Sequence, residues 1–125
     1  MHIEDPDVEQ ILIDWAGPAL AGRGITVPVA IELAGKECVA IYRVGGVRRN
    51  LVVDVPTIIC ETKAGTSSRA FQIIRKLRSL VHELPAAGIG VNHVEELAGP
   101  ALLPREDAPN RYTMTLSIDF ESDIT

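Results

Sequence analysis

The residues of this 125-residue chain that could do chemistry are few and widely spaced. His82-Glu83 begins like the metal-binding motif of a zinc protease helix, which needs a second histidine three residues after the glutamate. Ala86 stands at that position, so the motif is absent. His93 and Glu95 would share one strand face and could form one edge of a metal site, but no third ligand can be named. Cys60 follows Ile58-Ile59 without any local signature of an activated nucleophile, and reads as a small buried strand residue. Cys38 and Cys60 form no Cys-x-x-Cys pair and read as thiols of a reducing compartment rather than a disulfide. No carboxylate is seen in an apolar run that would raise its pKa, so no general acid or base declares itself. The reading is of no enzyme, no cofactor and no metal.

Anion binding has one candidate. Gly65-Thr66-Ser67-Ser68 lies between a strand and a helix start, where free backbone N–H groups can hold a negative group. The segment lacks the Gly-Lys-Ser/Thr ending of a phosphate loop, and Thr66 or Ser67 serves equally as a plain N-cap. A small cytoplasmic enzyme or anion-ligand-binding domain built on this helix start is therefore one functional reading. Arg48-Arg49 and a basic helix face could contact phosphates. Only Tyr42 and Phe71 are nearby aromatics, so the stacking platform of single-strand binders is missing. A net charge of −5 also argues against general nucleic-acid binding.

That charge is not evenly spread. Residues 1–42 carry Arg23 and Lys36 against seven acids, residues 43–78 carry eight basic groups against Asp54 and Glu61, and residues 79–125 carry Arg105 and Arg111 against eight acids. The thirds therefore stand at −5, +6 and −6. Complementary faces of identical subunits can use such a pattern to steer and register their association. Arg48, Arg49, Arg75 and Arg78 are the candidates for the basic side of a contact, and Asp5, Asp7, Glu106 and Asp107 for the acidic side.

Elements follow from periodicity. Val8, Ile11, Leu12 and Trp15 recur at helical spacing, with Asp5 as N-cap, Pro6 at the first helical position, and Gly17-Pro18 expected to disrupt or end the helix. Strands are expected over Val27–Leu33, over Cys38–Val44 with Gly45-Gly46 as its stop, and over Thr57–Thr62. A basic loop joins the last two. Ala70, Ile73, Ile74, Leu77, Leu80, Val81 and Leu84 fall on one face of a second helix, ended by Pro85 and Gly88. Val91–Leu97 reads as a strand and the segment from Gly99-Pro100 to Pro109 as an extended loop. Tyr112, Met114, Leu116, Ile118 and Phe120 alternate strictly with polar residues, the mark of a strand wet on one face. Together these predict an α+β fold in which a largely antiparallel four- or five-stranded sheet packs with two main helices. One domain is expected over residues 1–125, its tail, 121–125, frayed. No uncharged stretch approaches the roughly 18–20 residues of a membrane span, and the start is unlike a signal peptide.

The order of the second half carries a resemblance. The strand Pro56–Thr62, Gly65 and its helix, Gly90-Val91, Glu96-Leu97-Ala98-Gly99-Pro100, Leu103-Pro104 and Asn110-Arg111-Tyr112 follow one another in sequence, with Arg43-Val44-Gly45-Gly46 upstream. Over about residues 40–121 this order resembles the tail terminator, or tail completion, proteins of long non-contractile-tailed phages of actinobacteria. The resemblance implies an α/β subunit of a homo-hexameric ring at the head-proximal end of the tail tube. Such a ring ends tube polymerisation and faces the head–tail connector. Its implied partners are other copies of itself, the major tail tube protein and a neck protein, with DNA passing through the ring and no membrane involved. Its implied place is the virion, reached through host cytoplasm. Another neck or tail-completion component fits the same order. The resemblance brings no catalytic residue.

Overall fold

Alternation sends Met114, Leu116, Ile118 and Phe120 to one side of a strand, and all four are completely buried. What buries them is a layer of two helices. In a computed structural model, which describes residues 3–4, 7–48, 53–121 and 123–124, the chain runs through β1 (Ile3–Glu4), α1 (Val8–Ala21), β2 (Val29–Ala30), β3 (Cys38–Arg48) and β4 (Val53–Lys63). It continues through α2 (Ser67–Val81), a 3₁₀ turn (Leu84–Ala86), β5 (Val91–Leu102), β6 (Arg111–Glu121) and β7 (Asp123–Ile124). The main sheet has five strands in the order β2-β3-β4-β6-β5, antiparallel throughout except for the parallel β2–β3 pair. This is an α+β fold with a largely antiparallel five-stranded sheet. The tail does not fray throughout, because β7 pairs antiparallel with β1.

Both helices lie on one face of the sheet, α1 against β2, β3 and α2, and α2 across β4, β6 and β5. The core between the layers is formed by Val8, Leu12, Ala16 and Leu20 of α1 and by Ala70, Ile73, Ile74, Leu77, Leu80 and Val81 of α2. They meet Val39, Ile41, Ile58 and Cys60 and the alternating face of β6. Cys38 and Cys60 are buried free thiols, and burial pushes the Cys60 thiol up to about 12. Among the described residues no helix is long and apolar enough to cross a membrane.

Several boundaries differ from expectation, each for a physical reason. Helix α1 starts later, at an N-cap formed by Asp7, whose carboxylate accepts the Gln10 N–H at 3.1 Å; Asp5 lies outside the described residues. The helix also runs through Pro18 for another turn. A proline inside a helix costs about 3 kcal/mol, and fully burying a leucine contributes about 1.5–3 kcal/mol. Leu20, with no exposure at all, is thus enough to offset much of the defect.

Strand β2 has only two residues, and the chain then turns at Gly35 to re-enter as β3. Gly45-Gly46 bends β3 rather than ending it, through a register shift between Arg43 and Gly45. Strand β5 continues through Gly99-Pro100 because it is the edge of the sheet, where a missing N–H breaks no ladder. Three register shifts accommodate it.

Gly46 is the position that admits no side chain. Its φ is +121°, and a Cβ there would stand 2.3 Å from the Val55 carbonyl oxygen. Gly17, inside α1, has open space around its missing Cβ. Gly46→Ala should therefore destabilise the protein by at least about 2 kcal/mol, while Gly17→Ala should stabilise it by about 0.5–1 kcal/mol. Urea unfolding of the two variants beside the parent checks both signs.

Candidate functional site

Among the described residues no helix covers the other face of the sheet, and its charged groups satisfy one another. Glu61 sits near the end of β4, the middle strand, and is only 6% exposed. Its two neighbours in the sheet supply the partners. Tyr42 on β3 donates its hydroxyl to Glu61 Oε1 at 2.8 Å, and Arg111 on β6 donates Nη1 to the same oxygen at 2.5 Å. Burial first, and then the bond and the negative charge of Glu61, push the Tyr42 phenol up to about 12. The Arg111 guanidinium is spent on this contact, and its Nε is buried without an acceptor.

Two connecting segments close over this cluster. Ile31, Glu32 and Leu33 come from the turn between β2 and β3, and Arg105 and Asp107 from the β5–β6 connection. With Ala40, Tyr42 and Glu61 as its floor they enclose a cleft of about 420 Å³. The β5–β6 segment is itself a tight hairpin, since Arg105 and Ala108 exchange both backbone bonds at 3.0 Å. Glu106 and Asp107 form its exposed tip, and Arg105 Nε lies 3.4 Å from Asp107 Oδ1.

A second buried carboxylate sits on the helix side of the sheet. Asp54 is 2% exposed and is gripped bidentately by Arg43, at 2.8 and 3.1 Å. Arg43 also donates Nε to the Gly45 carbonyl across the bulge, and Glu9 of α1 accepts the Arg43 backbone N–H at 3.0 Å. Both acids follow apolar residues in the sequence, and each is held by an arginine. Glu61 follows Ile58-Ile59-Cys60 and Asp54 follows Leu51-Val52-Val53. That pattern was the available signal, and neither cleft segment had one.

The sequence-derived contact candidates do not come together as one patch. Arg75 lines a basic cleft on the outer side of α2 with Arg23, Gln72, Lys76 and Ser79. Arg78, on the same helix, is clamped by Glu96 of β5 at 2.6 and 2.8 Å. Asp107 lies across the sheet at the open-face cleft, with Glu106 beside it on the hairpin tip. Asp7 caps α1. Arg48 ends β3 opposite Asp54 in the backbone register, and Arg49 and Asp5 lie outside the described residues.

At the anion candidate by Gly65 the side-chain hydroxyls bond within the chain. Thr66 caps α2 by accepting the Arg69 N–H at 3.1 Å, and Ser67 Oγ donates to Asn110 Oδ1 at 3.0 Å. Asn110 Nδ2 in turn donates to the Gly65 carbonyl at 3.0 Å, tying the helix start to β6. His93 and Glu95 do share the open face, opposite Asp119 and Ser117. Among the described residues no three metal-ligating side chains are grouped to hold an ion.

No protein-family model and no curated protein matches this chain.

The Tyr42–Glu61 bond sets a pH dependence. A phenol whose folded pKa is raised contributes stability that is complete below the unfolded value of 10 and lost as pH rises through about 12. Absorbance at 295 nm should show one tyrosine titrating near 12, and Tyr42→Phe should abolish that transition. The same substitution should cost about 1 kcal/mol at neutral pH.

Proposed function

We propose that this chain is a ring-forming virion subunit of the tail-terminator type. It would cap the head-proximal end of the tail tube and meet the head–tail connector. The observation that carries this reading is the separation of unspent charge between the two sides of a two-layer domain. On the outer side of α2, Arg75 and Lys76 have no acidic partner among the described residues. On the open sheet face Glu32 likewise has no basic partner among the described residues, while Asp107, 79% exposed, stands 3.4 Å from Arg105. A ring needs a heterologous contact, in which one face of a subunit meets a different face of the next. Groups of opposite sign left unpaired on the two sides of the domain, Arg75 and Lys76 on one and Glu32 on the other, supply such a pair of contacts. The order of elements that resembles the tail terminators supports the same reading, and the α+β sheet with its two helices agrees with it.

An anion site that used the Thr66 and Ser67 hydroxyls would compete with bonds inside the chain.

Mass measurement of the purified protein, alone and mixed with tail tubes, tests the proposal. A closed oligomer that binds tube ends is expected; a strict monomer that ignores tubes overturns it. Arg75→Gln with Lys76→Gln should weaken association by roughly 2–5-fold for each exposed ion pair removed. The weakening should be largest at low salt and fade as screening grows.

A further inference from the structure

We propose that the open-face cleft is a binding site for a cationic group on an alkyl stem, a guanidinium or ammonium seated on Glu61. Three observations converge on that chemistry. First, both donors to Glu61 reach the same oxygen, Oε1, and among the described residues no donor reaches Oε2. The carboxylate is almost entirely buried, yet it keeps an unused acceptor and lines the cleft. Second, the cleft lining carries Glu32, Glu61 and Asp107; Asp107 pairs with Arg105 and Glu61 with Arg111, and Glu32 has no ion-pair partner among the described residues. Three carboxylates against two guanidiniums leave a net negative charge, which favours a cation over an anion. Third, Ile31 and Leu33 give the cleft an apolar side, and Ile31 is 53% exposed. A bare ion would leave that side unused, while an alkyl stem covers it as lysine and arginine stems cover apolar surface elsewhere. About 420 Å³ accommodates a group of this size.

The shared chemistry has two sources, a lysine or arginine side chain of a second copy of this chain, or a free small amine. The site does not rest on the ring reading. n-Butylguanidinium is the probe, titrated into isotope-labelled protein while the Leu33, Ala40 and Tyr42 resonances are followed. Shifts confined to the cleft are expected. Glu32→Gln with Asp107→Asn should raise the dissociation constant about 2–5-fold at low salt, and the difference should shrink as salt rises. Both side chains are exposed, so the fold survives their substitution; Glu61→Gln, which would strand Arg111, is avoided. Absence of shifts at high probe concentration, equal binding of butyrate, or indifference to the double substitution each overturns the proposal. If saturating probe also dissolves the oligomer, the source is the neighbouring copy. If the oligomer's mass is unchanged while the probe binds, the source is a free amine. A protein that binds the probe yet stays monomeric with tail tubes keeps this site and sinks the ring reading.

Discussion

A sheet covered by helices on one face only must solve two different problems with the same strands. On the helix side, β3, β4 and β6 present apolar residues that α1 and α2 remove from water. On the other side no helix among the described residues covers the strands, and Glu61 is nevertheless almost withdrawn from solvent. An ionised carboxylate in that position costs several kcal/mol unless it is paired and hydrogen-bonded. Tyr42 and Arg111 meet the requirement from the strands on either side. The arrangement specifies register as well as charge. Slipping β6 by one residue would send Arg111 to the helix side and expose the Met114-to-Phe120 row to water. The polar cluster and the apolar core therefore enforce the same alignment from opposite faces.

The short parallel strand explains why anything lies over this cluster at all. Parallel neighbours usually need a crossover of a dozen residues or more. Here β2 is two residues long, so residues 31–37 suffice to return the chain to the start of β3. The return passes over the open face and places Ile31, Glu32 and Leu33 above Ala40 and Tyr42. The hairpin at Arg105–Ala108 closes the far side, and Ala108, fully buried, anchors it. The cleft is thus a consequence of connection geometry rather than of any strand pattern.

This difference marks what could be read from the sequence. The second helix and the last strand were legible because each encodes a single period over many residues, and the buried set of α2 is the predicted one. Signals carried by one residue misled. Pro18, Gly45-Gly46 and Pro100 each read as a stop, and each is absorbed, by the burial of Leu20, by a bulge and by an edge position. The cleft was not legible, since its lining comes from four separated segments that no spacing connects. Glu61 and Asp54 were visible as acids beside apolar residues, but their cations, Arg111 and Arg43, are assigned only by strand pairing.

Those pairings also change what the charge asymmetry means. The basic middle of the chain looked like a reserve of free cations for a partner. Arg43, Arg69 and Arg78 are instead held by Asp54, Glu37 and Glu96, each an acid distant in sequence or on another element. A bidentate arginine keeps its charge but has fewer donors left to offer, and its field is largely neutralised by the acid it holds. Among the groups that the fold leaves without an ion-pair partner are Arg75 and Lys76 outside α2 and Glu32 on the open face. These few groups lie on opposite sides of the domain because α2 sits on one face of the sheet and the β2–β3 return on the other. Folding consumes most of the pattern written along the chain, and what it leaves is arranged across the molecule by topology rather than by sequence position.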